Sequence, residues 1–192
     1  MGLEYSPPRP ENLLFLRKEV RQAVIAPIDG AKNLNCYFTA RAAVSKHGGT
    51  IMDVWEVAEV PNCFLHFRPH VLWKKASGEV IDPSPSEFGF LATTYFESTI
   101  PHGLPMPAAY LYPLTDHPAI ALNCKIQNVA YKFISEKMNP EKPTVLNKAE
   151  MLAECAKRLE DENIYSSDNM DLLLFYIIGD TKIIPLRKNS AQ

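Results

Sequence analysis

The chain has 192 residues, of which 46% are hydrophobic, 22% charged and 10% aromatic. This composition excludes a long disordered region, and the length suits one well-covered core, so we expect a single domain over residues 1–192. The 20 basic and 22 acidic side chains give a formal charge of -2, and no segment concentrates Lys or Arg. Nucleic acid is therefore not an expected partner.

A first helix is predicted over about residues 10–25. Pro10 suits the first turn of a helix, and Pro27 ends the pattern. Between them, apolar residues recur at helical spacing at Leu13, Leu16, Val20 and Val24.

A second helix is predicted to begin at Cys36. Asn33 or Asn35 can cap its start, and the Gly48-Gly49 pair supplies a left-handed stop at its end. The Cys36 thiol is thus predicted at the N-terminus of a helix, where unpaired N–H groups and the helix dipole favour a negative charge.

Strands are predicted over residues 51–60 and 63–74, because both segments are rich in β-branched and aromatic residues with rough alternation. Residues 89–97 are predicted as a further strand of the same sheet.

A hairpin is predicted at the end of the second of these strands. Ser77-Gly78 indicates a tight turn, and residues 79–82 return as a short strand. His70 then lies on one arm and Asp82 on the other, so the two side chains are expected to meet.

The order of these elements predicts an α+β fold, with an antiparallel β-sheet packed against helices. We divide the domain into a core over residues 10–98, a proline-rich loop over 99–118 and a helical C-terminal part over 119–192. The loop is a candidate to cover a substrate, because five prolines keep it irregular while its aromatic residues favour packing.

The C-terminal part is predicted to hold two helices and an apolar segment. The first helix covers residues 119–137, and a capping box at residues 147–150 opens the second. Residues 169–184 are apolar and are expected to form a buried helix followed by a short strand over 182–186. The most apolar run, residues 172–178, is far shorter than the ~20 residues that span a bilayer.

Location and redox state follow from two further observations. The N-terminus lacks the basic start and apolar stretch of a signal peptide. We therefore expect no membrane partner and a cytoplasmic location, with delivery to another cell only by a non-classical route. The four cysteines form no CxxC pair and are expected to be reduced thiols.

Cys36, His70 and Asp82 together have the chemistry of a thiol enzyme. A thiol at a helix start becomes a nucleophile when an imidazole accepts its proton, and a carboxylate on the far ring nitrogen orients that imidazole. The three residues are the candidate catalytic set. No cofactor or metal is required for this chemistry.

The motifs around these residues resemble the transglutaminase-like enzymes within the wider papain-like superfamily. A Cys opens a helix, His70-Val71-Leu72-Trp73 lies on a strand, and Val80-Ile81-Asp82-Pro83 follows on the next. The resemblance covers about residues 33–85, and Tyr37 stands where these families usually have a tryptophan. It implies a papain-like core and an acyl-thioester mechanism, with Cys36 as nucleophile, His70 as general base and acid, and Asp82 as its orienting partner.

An oxyanion formed at the Cys36 site needs hydrogen-bond donors. The backbone N–H of Cys36 is one candidate. A second donor could come from the side chains of Asn33, Asn35 or Gln22, although both asparagines are ranked first as helix caps.

The predicted function is that of a cysteine-dependent hydrolase or acyltransferase acting on an amide, peptide or isopeptide bond, with a protein, a peptide or a small amide as substrate. One alternative is an inactive binding or inhibitory module on the same fold, which uses the proline-rich loop as its contact surface. Another alternative is a zinc-binding protein that uses Cys63, His66 and His70. A helix would bring these ligands together, but the predicted strand makes them diverge.

Overall fold

The computed structural model describes residues 4–33, 35–99, 101, 107–137 and 148–161. The described chain begins with a 3-10 helix, Pro10–Leu16, and continues with six strands and three α-helices. These are β1 (Arg21–Ile25), α1 (Cys36–His47), β2 (Thr50–Val60), β3 (Phe64–Lys74), β4 (Val80–Asp82), β5 (Ala92–Glu97), β6 (Tyr110–Pro113), α2 (Pro118–Lys137) and α3 (Lys148–Asp161). None of the described helices is long and apolar enough to cross a lipid bilayer.

Five of the described strands close into a barrel. Their order is β2-β5-β1-β4-β3, and a long β2–β3 hairpin closes the ring, while β6 pairs with the other side of β3. The pairs are antiparallel except for β1 and β4, which run parallel. The α+β prediction is confirmed, and the expected antiparallel sheet is in fact a closed barrel that contains one parallel pair.

The inner face of this barrel carries the core that lies next to the candidate site. Strand alternation and the pairing register place Ala23, Val54, Leu72 and Tyr95 on one common face, where they form a buried cluster. The opposite, outer face includes Val24, which is exposed. The face of the sheet to which a strand side chain points therefore decides whether that side chain can reach the barrel interior.

Helix α1 packs on the outer face of the β3–β4 hairpin. Ala43 is fully buried against Trp73 and Ile81, because a small side chain lets the helix approach the sheet closely. The Trp73 indole N–H donates to the Gly48 carbonyl at 2.8 Å. Gly49 follows at φ 90°, and a Cβ there would lie 2.3 Å from the Lys74 carbonyl oxygen. These contacts fix the C-terminal end of α1, and hence the direction in which its N-terminus points.

The N-terminal segment is held on the barrel by a buried carboxylate. Glu59 accepts hydrogen bonds from the Arg9 backbone N–H at 2.9 Å, from Arg9 Nε at 2.8 Å and from Asn12 Nδ2 at 3.0 Å. The 3-10 helix then places Leu13 in a cluster with apolar residues of β2, β3 and β5. Burial of these apolar side chains and pairing of the Glu59 charge both hold the N-terminal segment on the barrel.

Helices α2 and α3 complete the described fold beside β6. Asn128 of α2 accepts from the Leu111 N–H at 2.6 Å and donates to the Leu111 carbonyl at 3.0 Å. The amide thus bonds both backbone groups of one β6 residue. The two helices share an apolar cluster that contains Ile126, Val129, Ala130, Phe133, Cys155 and Leu159.

Most predicted elements are confirmed, and two predictions are wrong. The structure has a 3-10 helix over Pro10–Leu16 and strand β1 over Arg21–Ile25 where one helix over 10–25 was expected. Strand β1 forms because it finds partners in β4 and β5, an effect that local spacing does not show. Part of the expected irregular loop 99–118 is strand β6. Residues 169–186 and the start of the predicted capping box lie outside the described residues.

Candidate active site

The β3–β4 hairpin brings His70 and Asp82 together. Ile81 pairs with Trp73, so strand alternation places Asp82, Leu72 and His70 on the inner face of the barrel. The His70 Nε2 atom lies 2.7 Å from Asp82 Oδ2. This is a hydrogen bond between an imidazole and a carboxylate on diagonal positions of adjacent strands.

Asp82 is almost fully buried, and both of its carboxylate oxygens accept further hydrogen bonds. The same Oδ2 atom accepts from the Thr93 hydroxyl at 2.5 Å, and Oδ1 accepts from the Ser84 N–H at 2.9 Å. Burial alone would raise the pKa of Asp82, but its hydrogen bonds, first of all with His70, outweigh burial and lower the pKa. The carboxylate is therefore ionised and fixed in orientation.

Cys36 is the first residue of α1, and it lies near enough to the His70 ring for its charge to raise the pKa of His70. Because Asp82 occupies Nε2, the ring nitrogen left for Cys36 is Nδ1. Cys36 is partly exposed. Its backbone N–H belongs to the first turn, where N–H groups have no acceptor within the helix.

The electrostatics of His70 follow from this position between two partners. Burial would lower the pKa of His70, but the charge of Cys36 and the hydrogen bond to Asp82 raise it well above 6.5. A protonated imidazole beside the sulfur is the arrangement that holds a thiolate as an ion pair.

An acidic side chain that the sequence analysis did not select also lies beside His70. Glu56 is buried opposite Arg68 in the β2–β3 register, and its Oε2 atom lies 4.0 Å from His70 Nδ1. Arg68 Nη2 pairs with that oxygen at 2.6 Å, and Arg68 also pairs with Glu87. The position of Glu56 depends on strand register, which a single sequence does not reveal.

The three side chains proposed as oxyanion donors lie on different elements of the fold. Asn35 is the residue before α1, but its side chain makes no capping hydrogen bond within the described chain. Asn33 is exposed in the preceding turn. Gln22 is exposed on β1, next to inward-facing Ala23, so it points to the outer face. Asn35 is thus the nearest to Cys36 along the chain, and Gln22 is not brought to the site.

The alternative zinc ligands do not converge. Among the described residues, no three of His, Cys, Asp and Glu lie close enough to hold a metal ion. His66 is buried against Tyr131, with ring centroids 5.5 Å apart. Burial and the charge of Arg68 lower the pKa of His66 to about 3, so the ring is neutral. Three residues of extended strand separate it from His70, which keeps the two imidazoles apart.

The remaining cysteines differ from Cys36 in their surroundings. Burial, followed by the charge of Cys63, raises the pKa of Cys124 to about 11, and burial also raises that of Cys155 to about 11. Cys63 is partly exposed. Of the four thiols, Cys36 is the one that lies near a histidine paired with a carboxylate.

Comparison of the chain with family models, curated proteins and solved structures finds no match.

Proposed function

We propose that this protein is a cysteine-dependent hydrolase or acyltransferase that acts on an amide bond through an acyl-thioester on Cys36. The observation that carries the proposal is the position of His70, whose ring bonds Asp82 through Nε2 at 2.7 Å and lies near enough to Cys36 for the charge of that residue to raise the pKa of His70. The transglutaminase-like resemblance of residues 33–85 supports the same assignment, because it has Cys, His and Asp in this order.

The proposed reaction begins from the thiolate–imidazolium pair. The Cys36 thiolate attacks the amide carbonyl carbon, and the backbone N–H of Cys36 donates to the oxyanion. His70 then transfers its Nδ1 proton to the leaving amine as the C–N bond breaks, which leaves a thioester and a neutral imidazole. Asp82 holds the ring in one orientation throughout.

A labelling experiment tests the activated thiol. At about pH 6.5, where an ordinary thiol is almost fully protonated, iodoacetamide should alkylate Cys36 at least about tenfold faster than Cys63. Cys124 and Cys155 should react more slowly still, since burial raises the pKa of both. Peptide mapping by mass spectrometry gives the rate at each site.

Two histidine variants make the test specific. His70→Ala should remove the advantage of Cys36, whereas His47→Ala should retain it, because exposed His47 lies at the far end of the same helix. Equal and slow labelling of all four thiols in the unaltered protein would overturn the proposal and leave the inactive binding module as the better reading.

A further inference from the structure

An ion pair with Arg68 fixes the position of the Glu56 carboxylate relative to His70, the proposed catalytic histidine. Its carboxylate is 8% exposed and bonds Arg68 Nη2 at 2.6 Å. Arg68 is in turn held by Glu87 and by the Phe88 ring, whose centroid lies 4.3 Å from the guanidinium carbon. The Glu56 oxygen that bonds Arg68 is also the one that faces His70 Nδ1.

The 4.0 Å separation of Glu56 Oε2 and His70 Nδ1 is too long for a direct hydrogen bond. It suits a single bridging atom, because one oxygen or nitrogen at about 2.9 Å from each can bond both. Asp82 occupies Nε2, so Nδ1 is also the ring nitrogen left for Cys36. An atom that bridges Glu56 and Nδ1 would therefore lie on the side of the ring where the acyl group is expected.

We propose that Glu56 is a positioning residue for the nucleophile of the second half-reaction, holding the attacking water against His70 Nδ1. This inference rests on the proposed acyl-thioester function. In the thioester state the sulfur no longer needs the Nδ1 proton, so Nδ1 is available to accept a proton from water. Glu56 would accept the second hydrogen of the same water and aim its lone pair at the thioester carbon.

The step balances in atoms and charge. Water oxygen bonds to the acyl carbon and one water proton passes to His70 Nδ1, while the C–S bond breaks and its electron pair returns to Cys36. The products are the free carboxylic acid, the Cys36 thiolate and the His70 imidazolium, which is the starting pair. The acid then loses its proton to solvent. A primary amine can replace water, in which case the product is an amide.

The experiment uses p-nitrophenyl acetate as the acyl donor in stopped-flow measurements. The burst of p-nitrophenolate reports acylation of Cys36, and the steady rate that follows reports release of the acetyl group. Glu56→Gln should keep the burst amplitude and its rate within about twofold, while the steady rate falls by roughly 10- to 100-fold. Glu136→Gln is the control, because it neutralises an exposed carboxylate of α2 that pairs with Arg158, outside the Glu56–Arg68–Glu87 network, and should leave both phases within about twofold.

A second variant, Glu56→Asp, keeps the test informative if Glu56→Gln does not fold. Glu56→Asp keeps the charge beside Arg68 but withdraws the oxygen from Nδ1 by one methylene, so it should show the same slow release of the acetyl group. An unchanged steady rate in either variant would overturn the role of Glu56, as would loss of the burst in a folded Glu56→Gln protein. Absence of a burst in the unaltered protein would instead overturn the proposed function itself.

Discussion

The Thr93 hydroxyl donates to Asp82 Oδ2 at 2.5 Å although strand β1 lies between the strands that carry the two residues. Side chains two strands apart can meet in this way because the barrel is small and its inner face is concave. Ala23, the β1 residue opposite Thr93, has a side chain small enough to leave the path open. Barrel closure therefore contributes directly to the orientation of Asp82.

Thr93→Val should weaken the proposed nucleophile without changing the shape of the core. Loss of a hydrogen bond to a charged carboxylate leaves Asp82 and the His70 ring less firmly oriented, so the rate of Cys36 alkylation should fall by about three- to tenfold. The second-order rate constant with iodoacetamide at neutral pH measures this. Thr94→Val is the control, because Thr94 is buried on the opposite face of the same strand; equal rates in the two variants would refute the role of Thr93.

Cys36→Ala should abolish alkylation at this site and the proposed turnover but change the free energy of unfolding by less than about 1 kcal/mol, because the side chain is partly exposed at a helix end. Cys155→Ala should cost about 1–2 kcal/mol, since Cys155 is fully buried in the α2–α3 cluster. Urea unfolding of both variants makes the comparison. A larger loss for Cys36→Ala than for Cys155→Ala would indicate that Cys36 is a packing residue.

The elements around the candidate site could be predicted because their signals are local. The Gly48-Gly49 stop, the Ser77-Gly78 turn and the alternation of residues 63–74 were enough to place Cys36 at a helix start and to predict the His70–Asp82 hairpin. Whether these residues form an active site stays a prediction.

The features that sequence analysis missed depend on contacts between distant segments. Val24 of β1 continues the helical spacing of apolar residues that begins at Leu13, and only pairing with β4 and β5 makes this segment a strand. Glu56 and Thr93 reach the site through the register of a closed barrel, and Glu56 lies in a strand whose apolar residues dominate the pattern. No single-residue signal distinguishes them from surface residues.

Glu59→Gln should lower the free energy of unfolding by about 2–4 kcal/mol at pH 7, because the neutral amide loses charge-assisted hydrogen bonds in a buried position. Burial alone would raise the pKa of Glu59, but the hydrogen bonds from Arg9 and Asn12 lower it below the ordinary value. The stabilisation that ionised Glu59 gives the folded state is thus fully present above the unfolded-state pKa of about 4.3. It is lost as pH falls through the folded-state pKa.

Urea unfolding of the unaltered protein and of Glu59→Gln at several pH values tests this sign. The difference between their free energies of unfolding should be constant from about pH 7 to about pH 5.5 and should shrink below about pH 4.3. Glu97→Gln, which alters an exposed pair with Arg21, should change stability by less than about 1 kcal/mol at any pH. If the loss of stability in Glu59→Gln grew as pH fell, the lowered pKa of Glu59 in the folded protein would be contradicted.

Gly49→Ala should destabilise the protein more than Gly78→Ala, although both glycines have φ 90°. Each change forces a side chain into the left-handed region, which costs about 1–2 kcal/mol. At Gly49 the added methyl also meets the Lys74 carbonyl, while at Gly78 it meets open space. We expect a further loss of at least about 2 kcal/mol at Gly49, measured by urea unfolding, and equal losses would contradict the close approach.

The contact between Asn128 and Leu111 bears on self-association. Of the described strands, β6 alone has a strand neighbour on one side only, so its outer backbone is where another chain could add to the sheet. The Asn128 amide already occupies the N–H and carbonyl at the middle of that four-residue edge. A second copy of the protein would have to displace a helix side chain before it could template an intermolecular strand, which guards the fold against edge-to-edge aggregation.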